Sequence, residues 1–199
     1  MDVVTEAIAR YAVNLSDEDL NSAAIIGMKR RLVDSIGCAI GGLHGEPVEI
    51  ARKIAATTYG EPSARLFFTG EVTTVEMAAF ANGMMVRYLD FNDTYMAREG
   101  GHPSDVIAGT LAVAEANQLS GRETMLSMIA AFETVCALAE SERLSVKAID
   151  HSLHVAVGTA VGASKAMRLD FEHTAHAISM AVVSNVSLKV AREGQLSMW

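Results

Sequence analysis

The sequence predicts an all-α protein that folds as one domain of about eight helices. Apolar residues recur at helical spacing along most of the chain, and capping residues, prolines and glycines stand where such segments would begin and end. Aromatic residues make up only 6% of the 199 residues, fewer than a β-sandwich would need. No low-complexity linker or fixed repeat interrupts the chain, so we expect a single helical domain over 1–199.

Four helices are expected in the first half of the chain. They cover roughly 3–13, 20–40, 47–58 and 73–89. Ser16, which is followed by acidic residues, is expected to cap the second helix. Thr73 with Glu76 forms a capping box for the fourth. Between the third and fourth helices, 64–68 is the convincing extended run, either an edge strand or a connector.

Four more helices are expected in the second half. They cover roughly 103–117, 120–140, 152–167 and 171–186. Ser120 and Glu123 form a second capping box, and Asp170 is expected to cap the last helix. The helix over 152–167 is rich in small residues, which would let it pack closely against its neighbours.

A polar loop between the fourth and fifth predicted helices carries a dense group of ionisable side chains. These are Asp90, Asp93, Arg98, Glu99 and His102. A carboxylate and an imidazole brought together in a partly buried loop can serve as acid and base, and histidine titrates near neutral pH. Alternatively, Asp90 and Asp93 cap backbone amides while His102 caps or packs against the next helix. Spacing alone leaves both interpretations open.

Two further histidines, His151 and His154, stand at the start of a predicted helix. Such a pair could share a helix face and bind zinc, but no cysteine or third histidine stands at ligand spacing, so we expect no metal. His154, beside small residues, suits a place where a ligand approaches. His173 and His176 are expected to be structural or solvated.

Basic side chains near the polar loops could bind a carboxylate substrate. The candidates are Arg87, Arg98, Lys189 and Arg192. Any one of them could equally form a surface salt bridge. The glycine pairs follow no strand of a βαβ unit, so they do not form a nucleotide-binding fingerprint.

The composition argues against several classes of partner. The net charge is −8 and no basic stripe exists to neutralise phosphates, which argues against nucleic acid. The N-terminus is acidic and amphipathic, unlike a secretory signal, and no uncharged apolar run reaches the roughly 20 residues of a membrane span. Cys38 and Cys136 lie in apolar helical patterns and are expected to be buried free thiols. We therefore expect a cytoplasmic protein without a nucleic-acid or membrane partner.

Several segments of the sequence resemble the MmgE/PrpD family. The polar loop supplies RYLDFNDTY at 87–95 and HPSD at 102–105, and LAVAE follows at 111–115. LVDSIGCAIG at 32–41 and GQLSMW at 194–199 support the resemblance from both flanks. The segments occur in the family's order, so the resemblance covers essentially the whole chain.

The resemblance implies a large helical domain and a smaller lid domain, with the active site between them; the lid is absent from this chain. It also implies a lyase of propionate catabolism, a homodimer without a cofactor, that eliminates water from the small polycarboxylate 2-methylcitrate. The alternatives are a related decarboxylase of cis-aconitate, an epimerase of iminodisuccinate, or a non-catalytic helical dimerisation module.

Carried over residue by residue, the resemblance also implies roles for six side chains. Asp90, His102 and His154 are implied to be catalytic, and Arg87, Asp93 and Thr94 to bind or orient substrate. The two histidines would exchange protons with the substrate. Asp90 would fix an imidazole tautomer or take a proton itself, and Thr94 would bind a carboxylate.

Family chains are much longer, and their pattern usually continues with a lysine directly after the Met-Trp that ends this sequence. We therefore expect a truncated chain that holds part of an active site. A complementing C-terminal polypeptide would supply the lysine and the opposing wall. The chain alone is expected to show weak activity or none.

Overall fold

The computed structural model describes residues 1–192, and the eight α-helices within them confirm the predicted all-α class. The helices are α1 (Val3–Asn14), α2 (Ser22–Gly42), α3 (Glu46–Ala56), α4 (Val75–Arg87), α5 (Val106–Ala116), α6 (Gly121–Ser141), α7 (Ser152–Ala166) and α8 (Phe171–Ser184). Two antiparallel hairpins are formed by β1 (Ser63–Arg65) with β2 (Val72–Thr74) and by β3 (Tyr95–Met96) with β4 (Gly100–Gly101). The segment 194–199, which contributes to the family resemblance, lies outside the described residues.

Two of the predicted helix starts are confirmed by their hydrogen bonds. At α6, the Ser120 amide donates to Oε2 of Glu123 at 2.9 Å, and the Glu123 amide donates back to the Ser120 hydroxyl at 3.3 Å. At α8, Oδ1 of Asp170 accepts from the His173 amide at 2.9 Å. These contacts satisfy amide groups that the first turn of a helix leaves unpaired.

The predicted start of the second helix is wrong. Ser16 and Asp19 do form a reciprocal cap, but it closes only a 3₁₀ turn over Asp17–Asp19. Helix α2 begins after Asn21, whose side chain accepts a hydrogen bond from the Ala24 amide at 2.9 Å. Ser and Asn are both favoured at N-caps, so the local pattern did not show that the chain turns once between the two.

The capping box predicted for the fourth helix is also wrong. Thr73 lies in β2, paired with Ala64, and its hydroxyl donates to the carbonyl of Thr58 at 3.0 Å. Helix α4 begins after Thr74, whose side chain makes no capping hydrogen bond. The extended run predicted at 64–68 therefore contains part of strand β1. The partner strand β2 includes Thr73, which the sequence pattern had assigned to the start of a helix.

Helices α6 and α7 pack closely, as the small residues of α7 predicted. A Cβ placed on Gly158 would lie 2.9 Å from the carbonyl oxygen of Ala131, and one on Gly162 would lie 2.8 Å from the Cβ of the same alanine. Both distances are shorter than ordinary van der Waals contacts. Glycine at these positions therefore lets the two helices approach each other.

Helix α7 contributes to the largest apolar cluster of the core. Its Val157 and Val161 pack in one cluster with Ala9 of α1, Ala130 of α6 and Ile178 of α8. A second cluster joins α2, α5 and α6, and a third joins α2 with α4 and the start of α3. This scaffold fixes both ends of the polar loop, because α4 precedes that loop and α5 follows it.

One described helix, α6, is long and apolar enough to cross a membrane by length and composition alone. Its most apolar window is 50% buried inside the fold. That amount of burial fits the position of α6 against α7, where an apolar helix serves as a core element of a globular domain.

The two cysteines are free thiols, as predicted: Cys38 in α2 is buried and Cys136 in α6 is half-buried. Burial raises the pKa of both thiols, that of Cys136 to about 11. The negative charge of Asp93 adds to both shifts. Both thiols are therefore protonated at neutral pH.

Candidate active site

The loop between α4 and α5, residues 88–105, is called the Asp90 loop below. Its β3–β4 hairpin is fixed to the end of α6, where the Glu99 amide donates to the carbonyl of Ala139 at 3.0 Å. The Glu99 carboxylate also accepts from the Ser145 amide at 2.7 Å. Burial raises the pKa of Glu99, but the Ser145 hydrogen bond and nearby positive charges outweigh burial and hold this pKa below its ordinary value. An ionised carboxylate therefore anchors the hairpin.

Asp90 lies near the start of this loop in an unusual backbone conformation. Its φ of 51° lies in the left-handed region, which costs a residue other than glycine about 1 kcal/mol. Its Oδ1 accepts a hydrogen bond from the Arg87 guanidinium and lies 3.5 Å from Nε2 of His102. Since 68% of the side chain is exposed, the carboxylate is open to solvent as well as to these two partners.

The two ring nitrogens of His102 have different partners. Nδ1 lies 2.7 Å from the carbonyl oxygen of Asp93. A carbonyl can only accept a hydrogen bond, so Nδ1 carries a proton and, in the neutral ring, Nε2 holds the lone pair. Because Nε2 faces Asp90, a proton taken up there forms an imidazolium beside a carboxylate. The Asp93 carbonyl therefore fixes the tautomer of His102. The family resemblance had implied this role for Asp90, as one of two alternatives.

Asp93 and Thr94, both predicted to contact substrate, have different surroundings. Oδ1 of Asp93 accepts from the Ser104 amide at 3.0 Å, in the 3₁₀ turn Pro103–Asp105 that precedes α5. This is the capping interpretation that the sequence left open for the aspartates. Thr94 is exposed beside Asp93, where a ligand can reach its hydroxyl.

A polar network beneath the loop joins Arg87, Asn92 and Asp105. Asn92 is only 4% exposed, and its side-chain amide donates to Oδ1 of Asp105 at 2.8 Å and to the Ser104 hydroxyl at 2.9 Å. Nε of Arg87 lies 3.6 Å from Oδ2 of Asp105. Arg87 thus bridges two carboxylates, Asp105 on one side and Asp90 on the other.

Asp105 is the carboxylate of this network whose pKa is raised. Burial raises it above its ordinary value, although Arg87 and the Asn92 hydrogen bond act in the opposite direction. The sequence pattern assigned no separate role in the site to Asp105 or to Asn92. Asn92 and Asp105 both lie in segments that resemble the family, but no pattern of neighbouring residues shows that they contact each other across the loop.

His151 faces His102, whereas His154 is more deeply buried. The ring centroids of His102 and His151 are 6.3 Å apart, and a Cβ on Gly101 would lie 3.4 Å from Cδ2 of His151. His154 is 5% exposed, and burial lowers its pKa. All three histidines line a cavity of about 10 Å³, room for about one water molecule. The structure therefore brings together His102 and His154, the two histidines implied to be catalytic, and adds His151 to them.

The sequence pattern indicated His151 only as a possible zinc ligand, paired with His154. His151 follows Asp150, which is 4% exposed and whose Oδ1 accepts from the Ser152 amide at 2.9 Å. Oδ2 of Asp150 lies 3.9 Å from Nδ1 of His151. The sequence signal that could have singled out His151 is the aspartate directly before it at a predicted helix start.

Metal ligation finds no support in the part of the chain that the structure describes, since residues 1–192 contain no group of three or more His, Cys, Asp or Glu side chains arranged to hold an ion. Of the other basic candidates, Arg98 is exposed in the β3–β4 turn. Lys189 is also exposed, and its amide donates to the carbonyl of Ala148 at 2.9 Å, just before α7.

These side chains can transfer protons. His102 offers a lone pair at Nε2, Asp90 stabilises the positive charge that results, and His151 supplies a second imidazole within reach of the same space. The fold and the site together define an all-α domain with a loop of clustered aspartate and histidine side chains between α4 and α5.

Comparison with known proteins places this domain in a family. The MmgE/PrpD N-terminal domain matches residues 6–199, and the chain belongs to the MmgE/PrpD family. The match begins within α1 and covers all later elements described above, including the Asp90 loop. The resemblance seen in the sequence is thereby confirmed.

Similar proteins include three that are named as 2-methylcitrate dehydratases. A probable 2-methylcitrate dehydratase of Saccharomyces cerevisiae is 33% identical over 116 residues, which cover 57% of this chain and 22% of the yeast protein. The 2-methylcitrate dehydratase of Cupriavidus necator is 38% identical over 85 residues, covering 42% of this chain and 18% of that protein. That of Salmonella typhimurium is 39% identical, with the same coverage of 42% and 18%. The matched segments span about a fifth of the length of these relatives.

Proposed function

We propose that this chain carries the acid–base part of a 2-methylcitrate dehydratase-like site, which eliminates water from a small polycarboxylate. The observation that carries the proposal is the setting of His102, whose Nδ1 is held 2.7 Å from the Asp93 carbonyl while Nε2 faces Asp90. The names of the similar proteins support the reaction class and the substrate class.

Eliminating water from a hydroxy acid requires two proton transfers. Nε2 of His102 takes a proton from the carbon next to a substrate carboxylate, and the electron pair of that C–H bond forms the double bond as the C–O bond breaks. The hydroxyl group takes a proton as it leaves, so that it departs as water. His151, with its ring centroid 6.3 Å from that of His102, is placed to donate this second proton.

Asp90 stabilises the imidazolium that forms on His102, because its Oδ1 lies 3.5 Å from Nε2. The predicted proton exchange by His154 stays a prediction. The lowered pKa of His154 favours the neutral ring, which suits an acceptor of protons rather than a donor. His151 is therefore the better placed donor of the two.

Substrate carboxylates need cationic or hydroxyl partners. Thr94 is exposed next to the loop carboxylates and is the proposed hydroxyl partner. Arg87 and Asp93 stay predicted substrate ligands, although Arg87 is only 20% exposed and already contacts two carboxylates. A substrate with several carboxylates therefore needs further cationic groups.

Large apolar side chains are exposed on the Asp90 loop: Leu89 is 45%, Phe91 is 81% and Met96 is 78% exposed. Apolar groups exposed together mark a contact surface. We propose that a complementing C-terminal polypeptide covers this rim and supplies the missing cations. The homodimer and the cytoplasmic location also stay predictions, and sedimentation velocity tests the dimer.

The test is a turnover assay on the purified 199-residue chain, alone and mixed with the C-terminal polypeptide of a 2-methylcitrate dehydratase. The chain alone is expected to show weak turnover or none, and the mixture is expected to dehydrate 2-methylcitrate. In the mixture, His102→Gln is expected to lower kcat by about 10²–10⁴-fold. His176→Gln, at an exposed position of α8, serves as the matched control and should leave kcat unchanged.

Three outcomes would overturn parts of the proposal. Robust turnover by the chain alone would remove the need for a second polypeptide. Turnover of His102→Gln within a few-fold of the unchanged chain would remove the role of His102. A mixture that dimerises but turns over neither 2-methylcitrate, cis-aconitate nor iminodisuccinate would favour the non-catalytic module over an enzyme.

A further inference from the structure

Asp105 is a mostly buried carboxylate that the proposed proton transfers do not use. It occupies the residue just before α5, where an aspartate would ordinarily cap the helix, yet its side chain makes no capping hydrogen bond. Instead, Oδ1 accepts from Asn92 at 2.8 Å and Oδ2 lies 3.6 Å from Nε of Arg87. Helix capping therefore does not explain why an acid stands here.

The contacts of Asp105 lead to the reacting groups in two steps. Arg87, the last residue of α4, has its Nε beside Asp105 and donates from its terminal nitrogen to Oδ1 of Asp90. The same Oδ1 lies 3.5 Å from Nε2 of His102. A guanidinium is planar and rigid, so fixing one edge of Arg87 fixes the direction of the other edge.

Asp90 needs such support because its backbone is strained. A residue other than glycine keeps a φ of 51° only where its surroundings hold it. Asn92, two residues later and 4% exposed, ties the loop down by donating to Asp105 and to Ser104. Asp105 therefore contacts both Arg87 and Asn92, two of the residues that hold this end of the loop.

We propose that Asp105 is a positioning residue, which orients Arg87 and Asn92 so that Asp90 stays directed at His102. It contacts no reacting atom itself. The inference rests on the proposed function in so far as Asp90 and His102 perform the chemistry, but the geometry that it explains can be tested without turnover.

The test compares Asp105→Asn with the unchanged chain. The Asn oxygen can still accept from Asn92, but the charge that orients Arg87 is lost. Because burial raises the pKa of Asp105, the fold favours an uncharged group here, and the variant is expected to keep or raise the melting temperature. If Asp105 only stabilised the fold, Asp105→Asn would instead lower the melting temperature.

The first readout is hydrogen exchange of backbone amides in the 199-residue chain. Amides of 90–94 are expected to exchange about ten-fold faster in Asp105→Asn, because the loop opens locally, while amides of α6 are unchanged. Asp170→Asn is the matched control: Asp170 does cap its helix, and Asn caps equally well, so neither region should change.

The second readout is turnover in the mixture with the C-terminal polypeptide. Asp105→Asn is expected to lower kcat by about 10²-fold, the loss expected when a catalytic group is misplaced by about 1 Å. KM should change less than kcat, since Asp105 does not contact substrate. Arg87→Lys, which keeps the charge but loses the rigid fork, should lower kcat similarly, and the double variant should be no worse than either single one. Asp105→Glu should recover part of the activity.

Each result decides a different point. Unchanged exchange at 90–94 in Asp105→Asn would overturn the positioning role, and so would a lower melting temperature with faster exchange throughout the domain. Additive losses in the double variant would also overturn it, because the two residues would then act independently. If no mixture turns over, the proposed function fails, while the exchange experiment still decides whether Asp105 positions the loop.

Discussion

Helices α6 and α7 meet through small side chains, whereas the Asp90 loop is held by polar side chains that reach across the chain. At the helix contact, a Cβ on Gly158 would lie 2.9 Å from the Ala131 carbonyl oxygen, so a side chain has no room there. In the loop, Asn92 alone joins residues 12 and 13 positions further along the sequence. One region is shaped by excluded volume and the other by directed hydrogen bonds and charge.

This difference determines how each region responds to substitution. A closely packed contact cannot take up extra atoms without moving backbone or side chains, so stability is lost at once. A polar network can lose a charge without the domain unfolding, so the local geometry at a reacting group changes before the overall fold does. We therefore expect most of the stability to come from the helix contact, and the alignment of the site from the loop.

The largest expected effect is that of Gly158→Val. The free energy of unfolding should fall by about 3 kcal/mol, because the added atoms would overlap the Ala131 carbonyl and the Val135 side chain. Urea unfolding followed by circular dichroism measures the change. The control is Gly37→Ala on an exposed face of α2, where a Cβ meets nothing within 4 Å and the helix should gain up to about 1 kcal/mol. Equal stability of Gly158→Val and the unchanged chain would break the comparison.

The helix contact also shows why most of the fold could be predicted. Periodicity, the Ser120 capping box and the Asp170 cap are signals contained within a few residues. The two wrong starts arose where local signals competed. Thr73 satisfies its hydroxyl on Thr58, 15 residues away, and no local pattern shows that partner.

The second largest effect tests the loop. Asn92→Ala should lower the free energy of unfolding by about 2 kcal/mol, because it leaves buried partners at Ser104 and Asp105 without their donor. The matched control is Asn117→Ala, where an exposed side chain donates only to the Val113 carbonyl at 2.8 Å and the change should stay within about 0.5 kcal/mol. Similar small losses at both positions would mean that the loop network adds little to stability, and this would sharpen the division between the two regions.

The same network shows what the sequence could not predict about the site. Asp90 and His102 were found because they stand in one short polar loop. The pairing of His102 with His151 spans 49 positions in the chain, 151 − 102, and follows only from the packing of α7 under the hairpin. Local rules favour an acid such as Asp105 just before a helix, but its partners come from α4 and the loop.

A third and smaller effect concerns an exposed asparagine. Asn21→Ala should cost about 1 kcal/mol, because the Asn21 side chain caps α2 through the Ala24 amide at 2.9 Å in contact with solvent. Thr74→Ala should cost only a few tenths of a kcal/mol, since the Thr74 side chain makes no capping hydrogen bond. Thermal unfolding of both variants measures the difference. A larger loss for Asn21→Ala than for Asn92→Ala would contradict the view that burial sets the value of these polar contacts.

The smallest effect at neutral pH is expected for His154→Leu, at the junction of the two regions. His154 belongs to α7 and lines the cavity beside the Asp90 loop, and burial lowers its pKa below the ordinary 6.5. Below pH 6.5 the unfolded chain therefore binds more protons than the folded chain, and the free energy of unfolding falls as the pH falls. His154→Leu should remove this loss, so its melting temperature should decrease less than that of the unchanged chain between about pH 7.5 and about pH 5.5. His176→Leu, on the exposed side of α8, should keep the original pH dependence. If His154→Leu also kept it, the acid sensitivity would arise elsewhere, and the junction would not couple the packed helices to the charge of the loop.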